Sequence, residues 1–87
     1  MATQKQIEDA WDEAQKMRGK NPGTWRKDKF GHKIRKGSYG TIGEYGWEID
    51  HKYPESKGGS DKDKNLQPLY WEENRKKSDK VNYKNNK

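Results

Sequence analysis

The chain has no cysteine. That excludes disulfide frameworks, thiolate zinc sites and cysteine nucleophiles together. It is also poor in apolar residues: 25% of the sequence is hydrophobic, against 39% charged, and only one residue is Phe. No apolar run approaches membrane-spanning length, and the N-terminus lacks the apolar stretch of a secretion signal. The expectation is therefore a cytoplasmic chain with no membrane partner. With 87 residues, it suits one small domain with a thin core. Four Trp and five Tyr argue for folding over disorder, because each large aromatic buries much area. A bound metal would help so small a core.

Positive charge is present in excess. Lys and Arg number 20 against 14 Asp and Glu, for a net charge of +6 and a pI near 9.5. Such a balance favours a polyanionic partner, nucleic acid first. The excess is uneven: residues 1–17 are net acidic, and residues 18–47 carry most of the positive charge.

Periodicity predicts the elements. Over residues 3–17, Ile7, Ala10, Trp11, Ala14 and Met17 recur at helical spacing as a packing stripe. Thr3 and Gln6 match a capping box, and Arg18 to Gly23 form a breaker. Residues 24–36 predict a β-hairpin turning at Asp28 to Gly31. It carries Arg26, Lys27, Lys33, Arg35 and Lys36, the densest basic patch of the chain and a candidate nucleic-acid contact. Trp25 and Phe30 are assigned to packing on the N-terminal helix, since a thin core needs its aromatics. His32 has no evident partner and reads as a surface residue. Residues 37–43 read as a loop. Tyr45, Trp47 and Ile49 then alternate with polar residues as in a strand with one buried face. Asn65 to Leu69 predict a second strand, with Pro68 marking an end or an edge. Residues 70–79 predict a helix, and residues 81–87 a polar tail.

The chemistry concentrates between Trp47 and Asp79. Asp50 and His51 end a strand, and a loop with Pro54 and Gly58-Gly59 follows. Asn65 opens the next strand and Asn74 lies on the final helix. Strand, loop, strand and helix can bring Asp50, His51 and Asn74 to one point. A carboxylate and an amide oxygen are hard donors suited to Mg²⁺. Two protein ligands leave positions for water and phosphate oxygens, as metal-assisted phosphodiester cleavage requires. Glu48 shares a strand face with Asp50 and is a candidate to reach the same ion or to steady a water.

The order Asp50-His51, Asn65, Asn74, with Pro54, Gly58-Gly59-Ser60-Asp61, Leu66-Gln67-Pro68-Leu69 and Arg75-Lys76-Lys77-Ser78-Asp79 around it, resembles the HNH endonuclease signature. Asn74 stands where the family often has His, similar in this to the HNH domains of CRISPR effector nucleases. The resemblance implies an α+β fold: a ββα-metal core over about residues 44–80, with the N-terminal helix and the hairpin packed on it. It divides the chain into residues 1–23, a nuclease domain over 24–80, and the tail. It implies a phosphodiester hydrolase in which His51 is the general base, Asp50 and Asn74 hold a divalent ion (Mg²⁺ first, Mn²⁺ next), and Asn65 fixes the loop near His51. Arg75, Lys76 and Lys77 would clamp phosphate without reading sequence. The implied substrate is DNA, duplex or single-stranded, with RNA and a guiding partner protein left open. The rival reading is a non-catalytic nucleic-acid-binding module of the same fold.

Overall fold

A computed structural model describes residues 2–78. The polar tail expected over 81–87, and residues 79–80 before it, lie outside the described residues. The first element, α1 (Gln4–Asp12), opens on the capping box. Thr3 Oγ1 accepts from the Gln6 amide at 3.1 Å, and Gln6 Oε1 accepts from the Thr3 amide at 2.9 Å. Both donors would otherwise lack an intrahelical acceptor. The helix buries Ala10 and Trp11 but ends short of the predicted residue 17. Two interactions from outside the helix oppose its continuation. Residues Gln15–Lys16 form β1 against Lys27 and Arg26. The Arg26 guanidinium meanwhile donates to the Trp11 carbonyl at 3.0 Å. Pairing across space outweighs helical periodicity here.

β2 (Trp25–Lys27) and β3 (Lys33–Arg35) complete a three-stranded antiparallel sheet in the order β1-β2-β3. Their register sets Arg26 opposite Ile34, both buried, and Lys27 opposite Lys33. Alternation along the strands therefore turns Trp25, Lys27, Lys33 and Arg35 to the other face. Trp25 packs edge-to-face on Tyr45, ring centroids 5.0 Å apart, on the face away from Arg26.

The turn between β2 and β3 is organised by Asp28, 1% exposed. Its Oδ1 accepts from the Phe30 and His32 amides, both at 2.9 Å, and its Oδ2 from the Tyr70 amide at 2.9 Å. One carboxylate thus ties the hairpin to the far end of the second sheet.

That sheet pairs β4 (Trp47–His51) with β5 (Leu66–Tyr70), antiparallel, with Asp50 opposite Gln67 and His51 opposite Leu66. Pro68 is tolerated because each strand of a two-stranded sheet has a free edge. α2 (Trp71–Lys77) follows directly. Ala10, Trp11, Ile34, Trp47 and Leu66 form one buried cluster, flanked by Ile7, Ala14, Tyr39, Ile49 and Tyr70. The Trp11 and Trp47 rings lie 5.4 Å apart. One core therefore joins α1, the hairpin and the β4–β5 pair, a mixed α+β arrangement that agrees with the ββα-metal fold and with the packing expected of the N-terminal segments. No helix among the described residues is long and apolar enough to cross a membrane.

Candidate active site

Strand alternation gives β4 two jobs. Trp47 is buried in the core cluster with Ile49 against it, while Glu48 and Asp50 meet α2. Residues three apart share a helix face, so Asn74 and Lys77 fall opposite them. Asn74 Nδ2 donates to Glu48 Oε1 at 2.9 Å, and Lys77 Nζ donates to Asp50 Oδ1 at 2.9 Å. Arg75 Nη2 adds a bond of 2.9 Å to Glu48 Oε2. Burial works to raise the Glu48 carboxyl, but the hydrogen bonds from Arg75 and Asn74 and the Arg75 charge outweigh it and hold the group below its ordinary range.

Asp50, His51 and Asn74 line one cleft of about 390 Å³, together with Ile49, Pro54, Glu55, Ser56 and Ser78. Asp50 is 4% exposed. Gln67 Nε2, across the sheet, donates to its Oδ2 at 2.7 Å. Asp50 and Asn74 fit a hard divalent ion by donor chemistry, offering a carboxylate and an amide oxygen. The Lys77 ammonium already lies against Asp50 Oδ1.

His51 ends β4. Its Nε2 lies 2.7 Å from Asp61 Oδ1. A carboxylate only accepts, so Nε2 carries the proton and Nδ1 keeps its lone pair in the neutral ring. Glu55 joins these two residues in a second donor set, with ligand atoms of His51, Glu55 and Asp61 all within 4.8 Å of one another.

The loop that brings Asp61 to His51 is held by Asn65. Its Oδ1 accepts from the Tyr53 amide at 2.8 Å, and its Nδ2 donates to the Tyr53 and Ser60 carbonyls at 3.1 and 2.7 Å. Asn65 thus acts on the backbone of the loop beside His51. Gly59 is demanded by the same closure, since a Cβ there would lie 1.8 Å from the Tyr53 carbonyl oxygen.

The basic residues divide. Lys27, Lys33 and Arg35 stay on the outer face of the first sheet, where the Lys33 ammonium lies 4.3 Å from the Trp25 ring centroid. Lys36 bonds Glu8 at 2.6 Å. Lys76 is largely exposed and only 4.0 Å from Glu72. Two expected phosphate contacts, Arg26 and Lys77, are turned inward. Arg26 is buried, with Nε on the Pro22 carbonyl at 2.8 Å and Nη1 on that of Trp11, so it closes the end of α1. Lys77 is buried against Asp50. Neither charge reaches a phosphate from there. His32, read as partnerless, stacks on Tyr70 with centroids 4.7 Å apart, and its Nε2 lies 3.2 Å from Glu73 Oε2.

Asp28, Asp61, Gln67 and the Lys77–Asp50 pair escaped sequence reasoning. Gln67 becomes visible only once the register sets it opposite Asp50. Asp61 carried one signal, its place at the end of the Gly58-Gly59-Ser60 turn.

The family model described as HNH endonuclease matches residues 31–80, more than half of the chain. The chain belongs to the HNH endonuclease family. The match begins inside the hairpin and takes in β3, the cleft and α2. No curated protein and no solved structure matches the chain. HNH membership points to a nuclease or nucleic-acid-binding function, and HNH nucleases act on DNA and generally use divalent metal ions.

Proposed function

We propose that this HNH protein is an endonuclease that hydrolyses phosphodiester bonds in DNA, with His51 as general base and Asp50 and Asn74 as ligands of a divalent ion, Mg²⁺ or Mn²⁺. The observation that carries the reading is the shared cleft of Asp50, His51 and Asn74, drawn from the end of one strand and the middle of a helix. A divalent ion held by Asp50 and Asn74 would supply positive charge for the phosphoryl and leaving oxygens.

The chain's own groups do the rest. His51 Nδ1 takes the proton of a water whose oxygen attacks phosphorus in line with the leaving oxygen. Asp61 at Nε2 fixes the ring and balances the imidazolium charge that results, acting as a positioning residue. Asn65 holds the backbone that carries Asp61, also without touching substrate. Lys27, Lys33 and Arg35 on the sheet, with Arg75 and Lys76 beside the cleft, supply phosphate contacts independent of base sequence.

The test is nicking of supercoiled plasmid in Mg²⁺ or Mn²⁺, with EDTA and His51→Ala alongside. Metal-dependent nicking that disappears in the variant is expected. Cleavage that survives His51→Ala would sink the assignment of the base. Salt-sensitive binding with no cleavage would instead leave a binding module of the same fold.

A further inference from the structure

The most deeply buried ammonium of the described ion pairs sits on the carboxylate assigned to the metal. The Lys77 and Asp50 side chains are 3% and 4% exposed, and Lys77 Nζ reaches Asp50 Oδ1 at 2.9 Å and the His51 carbonyl at 3.3 Å. Gln67 holds the other Asp50 oxygen at 2.7 Å. Both Asp50 oxygens accept from the chain's own donors, one of them a cation, so Asp50 is charge-balanced by the chain itself. Isolated from a counter-ion, so buried a carboxylate would be strongly disfavoured. A divalent ion entering from the cleft meets a carboxylate whose neutralisation is complete. It also meets an ammonium sharing that carboxylate, in surroundings that screen little. Two cations on one buried carboxylate repel. Lys77 lies on the last turn of α2, where its long stem can carry the ammonium aside without breaking either strand.

We propose that Lys77 is a built-in competitor for the metal: its ammonium neutralises Asp50 in the metal-free protein and withdraws from it when a divalent ion binds. The inference rests on Asp50 being a ligand of that ion. Lys77 thereby lets the domain fold without metal and lowers its affinity for the ion, which couples metal occupancy to the position of one side chain.

The experiment measures Mn²⁺ affinity by calorimetry for the full chain, Lys77→Met and Asp50→Asn. Because the ion has to displace a buried ammonium from Asp50 and Lys77→Met removes that cost, Lys77→Met is expected to bind Mn²⁺ on the order of tenfold tighter or more. Equal or weaker binding overturns the proposal. Lys77→Met leaves Asp50 unbalanced and can fail to fold, so the unaltered protein is also probed by lysine acetylation read by mass spectrometry. The exposed Lys76 serves as internal reference. Lys77 is expected to be protected without metal and to become reactive at saturating Mn²⁺. Protection that persists at saturation overturns the proposal while leaving Asp50 free to be a ligand. If Asp50→Asn binds Mn²⁺ as well as the unaltered protein, the ligand assignment itself falls, and the competitor role with it.

Discussion

Asp28 offers the sharpest measure of how the two sheets are held together. Its carboxylate, 1% exposed, accepts three backbone amides: Phe30 and His32 in its own turn, and Tyr70 at the start of the segment that leads into α2. Asp28→Ala removes all three acceptors at once. Each buried donor left without a partner costs about 1–3 kcal/mol. Water can reach the turn once the carboxylate is gone and will recover part of this, so a loss of about 3–5 kcal/mol is expected. For a domain of this size the whole stability is about 4–13 kcal/mol, and the melting temperature should fall by more than about 10 °C. Asp28→Asn keeps one oxygen for the turn but points an NH₂ group at the Tyr70 amide, two donors face to face. Its loss should be about 2–3 kcal/mol. Urea unfolding followed by tryptophan fluorescence at pH 7 measures both. The reasoning fails if Asp28→Ala costs less than about 1 kcal/mol, close to an ordinary surface substitution. It fails equally if Asp28→Asn is the more stable protein, which would mean that burying the charge costs more than its hydrogen bonds return.

Replacing Lys27, Lys33 and Arg35 together by Gln should flatten the dependence of DNA affinity on salt, with the log–log slope shallower by about 2–3. Arg26→Gln should leave that slope unchanged and lower the urea midpoint, because Arg26 serves the end of α1; an altered slope would return it to the DNA surface. Glu48 supplies a pH signature. Its carboxyl is held below the ordinary value of 4.5, so its contribution to stability is present above that value and is lost as pH falls through the lowered one. The stability gap between the unaltered protein and Glu48→Gln should be open at neutral pH and close under acid. A gap that never narrows under acid, down to the pH at which the protein unfolds, would contradict the ion pair with Arg75.

Much of the architecture was legible in local pattern. The capping box at Thr3 and Gln6, the turn at Asp28 and the alternation through Trp47 and Ile49 each report constraints between residues near in sequence. Those constraints act whatever the rest of the chain does. The spacing of Asp50, His51, Asn65 and Asn74 pointed to the HNH family for a related reason. A ββα unit fixes how many residues separate groups that must meet. Boundaries were less legible. Residues 13–17 have helical periodicity, yet β1 and the Arg26 contact claim that stretch from across the fold.

What the sequence by itself determined was the kind of protein this is: its main elements, its family, and the residues that gather at the cleft. The tertiary structure alone decided what each charge is for. Lys27 and Arg26 are neighbours in the chain, and strand alternation sends one outward and the other under Trp11. Lys76 and Lys77 are likewise adjacent, but one faces water and the other closes on Asp50. A charge in water and a charge in the interior differ by several kcal/mol in what they require. That requirement is met by partners far away in sequence, Asp50 for Lys77 and the Trp11 carbonyl for Arg26. No local pattern of residues carries that information, because it comes into being only when the strands take their register and α2 packs across them.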